Sequence, residues 1–108
     1  MSDEIGQASS ALGLSFGGKH LERVVSAIEE MRRNPRQNWT IKDIERICNQ
    51  IGMTCGAPTR GSHHKVSSPL LMGPLTVPYN RPIKAIYIKR FADMAFAHIH
   101  AAMEKGDD

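Results

Sequence analysis

A chain of 108 residues suffices for one domain with a modest core and is too short for a doubly wound nucleotide-binding enzyme. With 41% apolar and 23% charged residues it has the composition of an ordinary globular domain, which excludes a chain disordered throughout. The formal net charge of +3 decides little alone, and no stretch approaches the roughly 18 apolar residues of a membrane span.

The N-terminal MSDEIGQASS lacks the basic-then-apolar build of a signal peptide, so the expected location is cytoplasmic. Residues 1–18, rich in Gly, Ser and Ala and without a sustained period, are expected to form a flexible leader, with residues 19–108 as a single domain. From Lys19 the apolar residues Leu21, Val24, Val25, Ile28 and Met31 recur at three- and four-residue intervals, opposite Glu22, Arg23, Glu29, Glu30 and Arg32. This spacing predicts an amphipathic helix that ends near Asn34, since Pro35 removes an amide donor and disfavours helical geometry in the residue before it.

Thr40 followed by Asp43 reads as a carboxylate variant of the capping box, opening a second helix. Its buried stripe is Ile41, Ile44, Ile47, Cys48 and Ile51, and Gly52 supplies a left-handed stop. Three short strands are predicted next, Met53 to Thr59, Ser62 to Ser67 and Leu75 to Pro78, separated by Arg60-Gly61 and by the loop SPLLMGP. A last helix is expected from Pro82, whose ring suits a first helical turn, through Ile83, Ile86, Tyr87, Phe91, Met94, Ala95 and Ile99 towards Lys105. The resulting class is α+β, a small three-stranded antiparallel sheet with helices on one face and the other face left for a ligand.

Cys48 and Cys55 stand outside any CxxC pair and read as reduced, packed thiols. Met53, Met72, Met94 and Met103 read as core or loop filler, and Trp39 as packing beside the start of the second helix. His98 and His100 lie two apart on a helix and do not share a face, so no metal site is expected from them or from the remote His20.

The distribution of charge says more than its sum. No acidic residue occurs between Glu45 and Asp93, an interval that holds Arg46, Arg60, Lys65, Arg81, Lys84, Lys89 and Arg90 together with His63 and His64. A region of that composition attracts a polyanion, RNA or DNA above all, although a solvated basic face without a partner has the same signature.

Strand alternation divides Ser62-His63-His64-Lys65-Val66 into two faces: Ser62, His64 and Val66 towards the helices, His63 and Lys65 outward. On the third strand Leu75 and Val77 turn inward and Thr76 outward. An exposed imidazole beside an ammonium, away from carboxylates, suits phosphodiester chemistry. It can take a proton from a ribose 2′-hydroxyl or give one to a leaving oxygen, while cations hold the phosphate. The plainer reading of a His-His dipeptide is one half-buried, hydrogen-bonded histidine and one solvated histidine.

Taken together, Ile41 to Gly52, Gly61-Ser62-His63-His64, Leu75-Thr76-Val77-Pro78 and the stretch from Pro82 to Phe91 resemble the HicA family of mRNA interferases, toxins of bacterial toxin-antitoxin modules. The resemblance covers roughly residues 38–96, leaving Lys19 to Asn34 as an additional N-terminal helix and a final helix longer than usual. It implies a fold similar to a double-stranded-RNA-binding domain. It also implies a metal-independent endoribonuclease with no cofactor, an essential strand histidine, mRNA as substrate and neutralisation by a HicB-type antitoxin. His63 matches the first histidine after Gly-Ser and faces outward; His64 is the reserve, because some members keep a histidine only at that second position. The RNA-binding set expected around it is Arg60, Gly61, Ser62, Lys65, Arg81 and Lys84. Two other readings use the same residues: a non-catalytic RNA-binding module, and a winged-helix DNA binder. The latter would have to read bases with Lys42, Asp43, Glu45, Arg46, Asn49 and Gln50, a set with two acids.

Overall fold

A computed structural model describes residues 18–58, 61, 63–79 and 82–106. The element order is α1 (Gly18–Arg33), α2 (Ile41–Ile51), β1 (Thr54–Gly56), β2 (His63–Ser67), β3 (Leu75–Pro78) and α3 (Ala85–Gly106). The three strands form one antiparallel sheet in the order β1-β2-β3, the α+β arrangement expected from the sequence. Except for Gly18, which already lies in α1, the expected leader falls outside the described residues. No described helix is long and apolar enough to cross a membrane.

α1 buries Val24, Ile28 and Met31, with Leu21 and Val25 packed at the edge of the core. The Asn34 amide still donates to the Glu30 carbonyl at 2.8 Å, and Pro35 follows, so the helix stops where the missing donor requires. α2 starts on the capping box: the Asp43 amide donates to Thr40 Oγ1 at 3.4 Å, and the Thr40 amide donates to Asp43 Oδ2 at 2.8 Å. At its other end Gly52, at φ 83°, turns left-handed while the amides of Gly52 and Met53 both bond the Cys48 carbonyl. Removing the cap hydroxyl with Thr40→Ala is expected to cost about 1 kcal/mol, read as a lower midpoint in thermal denaturation with the sheet intact.

β1 is shorter than the Met53 to Thr59 strand expected, because helix termination has taken the Met53 amide and Pro58 has none to give. Thr59 and Ser62, the far ends expected for the first two strands, lie outside the described residues. α3 begins at Ala85, three residues later than Pro82. Ile83 is buried and its amide donates to the Trp39 carbonyl at 3.0 Å, a tertiary bond that holds this turn out of the helix. The first helical bonds are those from Tyr87 and Ile88 to the Lys84 carbonyl. The later start fixes a different stripe: Ile88, Phe91, Ala92, Ala95, His98, Ile99 and Ala102 face inward, whereas Ile86, expected in the stripe, is 52% exposed.

The core lies between the inner sheet face and the helices, with α2 against β1 and α3 against β3 and α1. Val66 and Val77 are fully buried in it, Leu75 and Cys55 partly, so both strands alternate as expected. Trp39 packs at the core edge and its indole donates to the Asn34 carbonyl at 2.8 Å. Met53 is buried and Met94 and Met103 partly so, while Met72 is wholly exposed at the tip of the β2–β3 loop. The Arg32 guanidinium spans α1 and α3, bonding Asp93 at 2.8 Å and lying 5.2 Å from the centre of the Phe96 ring.

Candidate active site

The outer sheet face is built from register. Gly56, Lys65 and Thr76 stand in one cross-strand row, Thr54 and Ser67 in the next, and His63 and Pro78 in the row on the other side. His63, Lys65, Thr54 and Thr76 are exposed. His63 and Lys65, two residues apart on one strand, are separated by about 7 Å along it, close enough for both to reach one phosphodiester. Among the described residues, no carboxylate belongs to this face. Of the acids that bracket the basic interval, Glu45 sits on α2, and Asp93 sits on α3 paired with Arg32.

Gly61 leads into β2 at φ 68°, a left-handed conformation that strains any residue with a Cβ. A Cβ at that position would lie 4.0 Å from His63 Nδ1, so the turn brings its backbone directly beside the imidazole. Lys84 is exposed just ahead of α3, where its carbonyl receives the first helical bonds. Arg60, Ser62 and Arg81 lie outside the described residues.

His64 points the opposite way, 7% exposed, with its ring 5.9 Å from that of Tyr79 at an interplanar angle of 31°. Its Nδ1 has no hydrogen-bond partner, unlike the satisfied half-buried histidine that the plainer reading anticipates. The two adjacent imidazoles therefore occupy opposite faces of β2 and do not meet a common ligand on the outer face.

Neither thiol is a nucleophile at neutral pH. Burial pushes Cys48 up to about 12, with the nearby Cys55 and Glu45 adding to the rise, and burial with Glu45 raises Cys55 to about 11. Both are free cysteines, as expected. Among the described residues no three His, Cys, Asp or Glu side chains gather as a metal site requires.

One polar cluster was not legible in the sequence. His98 is fully buried, its Nε2 2.5 Å from the Ile51 carbonyl and its Nδ1 2.6 Å from Ser68 Oγ. A carbonyl only accepts, so Nε2 carries the proton and Nδ1 receives the Ser68 hydroxyl, which in turn accepts from the Leu70 amide at 3.0 Å. Burial lowers the pKa of His98 and the Ile51 bond opposes that only in part. Ser68 is itself buried, so this serine-histidine pair ties the β2–β3 loop and the end of α2 to α3. His100, on the solvent side of α3, instead meets Glu104 at 3.1 Å, in keeping with the different faces expected for the two histidines.

No protein-family model, curated protein or solved structure matches the chain. The class that its own fold and site define is a small α+β domain with an open, acid-free sheet face carrying one exposed histidine and one exposed lysine among the described residues.

Proposed function

We propose that the protein is a HicA-like endoribonuclease that cleaves mRNA without a metal ion or cofactor. His63 takes the proton of a ribose 2′-hydroxyl as that oxygen attacks the adjacent phosphorus. The bond from phosphorus to the 5′-oxygen then breaks, leaving a 2′,3′-cyclic phosphate and, once the leaving oxygen is protonated, a free 5′-hydroxyl. Lys65 neutralises the phosphate as its charge rises, and Arg60, Gly61, Ser62, Arg81 and Lys84 extend the RNA contact. A HicB-type antitoxin covering the same face fits this reading, since a cationic sheet accepts an acidic protein as it accepts a polyanion.

The observation that carries the reading is the exposed His63 imidazole on the outer face of β2, in line with Lys65 and with no carboxylate on that face among the described residues. Incubating the purified protein with end-labelled RNA in chelator, beside DNA of the same sequence, tests it. Loss of the RNA alone, with cyclic phosphate ends, is the expected result; an intact RNA at every protein concentration overturns it.

A second reading, a non-catalytic RNA-binding module of the same fold, is favoured by one fact: among the described residues a single imidazole stands on this face, and cleavage needs both a base and an acid. It predicts RNA binding that weakens steeply with salt and no turnover. The winged-helix reading gains nothing from α2, where Asp43 is held in the capping box and Arg46 is bonded to Asp43 at 2.5 Å.

A further inference from the structure

We propose that the cavity between the start of α2 and the chain leaving β3 is a subsite for an unpaired guanine base, reached over the β3 edge of the sheet from the phosphate handled by His63. This rests on the RNA reading above and adds to it a base preference. The cavity measures about 530 Å³ and is walled by Ile41, Tyr79 and Pro82, with Asn38, Lys42 and Glu45 supplying its polar groups. Pro78 pairs with His63 across the sheet and Tyr79 follows it with its ring against the buried His64, so the cavity lies at the same end of the sheet as His63 but on the helix side. Because β3 is the edge strand, an RNA with one phosphate on His63 and Lys65 enters the cavity by passing over that edge with a nucleotide further along its chain.

The walls suit a flat ring. Tyr79 is 39% exposed, and the His64 ring backs it from the core side, so the aromatic platform rests on a buried group. Stacking of an unpaired base on such a side chain is the common mode of single-strand recognition. The division of the two histidines acquires a use here, His63 for the phosphate and His64 behind the base platform.

The polar groups select among bases. A carboxylate beside an RNA track repels phosphate unless it receives N–H donors, and the Glu45 carboxylate has no hydrogen bond or ion pair among the described residues. Arg46, its neighbour in sequence, is committed to Asp43. Guanine alone among the four bases offers two adjacent donors on its Watson–Crick edge, N1–H and the N2 amine, which match the two oxygens of a carboxylate. The Asn38 side-chain amide, likewise without a hydrogen bond among the described residues, is the donor for guanine O6, and Lys42 is left for a flanking phosphate. Thr40 also lines the cavity, but its hydroxyl is occupied by the capping box.

The probe is a short uridine oligonucleotide, 2′-O-methylated throughout so that no attack can occur, with guanosine, inosine or adenosine at one central position. Binding is read by fluorescence anisotropy. Guanosine is expected to bind about 10-fold more tightly than adenosine, a difference of about 1.4 kcal/mol. Inosine, which lacks the N2 amine, should lose most of that advantage. Glu45→Gln should abolish the guanosine preference while leaving the adenosine oligonucleotide bound as before or more tightly; Asn38→Ala should reduce the preference in part. Inosine needs no change in the protein, so a folding defect cannot mimic its effect. Equal binding of all oligonucleotides by the wild-type protein, or a preference that survives Glu45→Gln, overturns the guanine subsite and leaves the RNA reading standing. Absence of binding to any of them overturns both.

Discussion

Replacing His63 by alanine should lower RNA cleavage by at least about 10²-fold, the smaller end of what a positioned general base contributes, with no change in fold. The side chain is exposed on the outer sheet face and supports no part of the core, and surface substitutions of that kind shift stability by less than about 0.5 kcal/mol. Activity and thermal midpoint therefore separate in this variant, as they do not for a core residue. His64→Ala supplies the contrast. That ring is almost wholly buried against Tyr79, so its loss should lower the midpoint as well as any cleavage rate. Wild-type cleavage by His63→Ala, with a folded but inactive His64→Ala, would transfer the role to the reserve histidine. Cleavage unaffected by either change would remove both from the mechanism.

Local signals told the most about the fold. Thr40 and Asp43 announce the capping box because both of its bonds lie within four residues, and Gly52 announces the stop because few other residues accept its φ of 83°. In β2 one apolar residue, Val66, orients its whole strand, since a period of two leaves His63 and Lys65 only the outer face. What remained hidden depends on distant partners. The start of α3 is decided by the Ile83 bond to Trp39, more than forty residues earlier in the chain, and with it the exposure of Ile86. The cavity between α2 and the end of β3 joins a stretch around Asn38 to Glu45 with Tyr79 and Pro82, a juxtaposition that no spacing within either stretch reveals. The unsatisfied His64 nitrogen is hidden for the same reason, because alternation places a ring inside without saying what will meet it.

The largest effect on stability is expected at His98. In sequence it is one of two histidines on different faces of a helix; in the fold it satisfies the Ser68 hydroxyl and the Ile51 carbonyl, partners 30 and 47 residues away. Ile51 closes α2, so its carbonyl has no intrahelical donor and relies on the imidazole. His98→Ala leaves that buried carbonyl without its donor and the Ser68 hydroxyl, still bonded by the Leu70 amide, without an acceptor for its proton, and it opens a cavity beside Phe91 and Ala95 in the α3 stripe. The combined cost is about 4 kcal/mol, a large share of the stability of a domain this size. Acid should weaken the wild-type protein through the same ring. Its folded pKa lies below the ordinary 6.5, so between those two values the unfolded chain binds the proton and the folded chain does not. This part of the stability is complete above about pH 6.5 and is lost as the pH falls towards the folded pKa. Urea denaturation at about pH 7.5 and about pH 5.5 reads both effects: His98→Ala should begin from a much lower midpoint and lose less on acidification than the wild type. An identical loss in the two proteins would show that the buried ring is not the group being protonated.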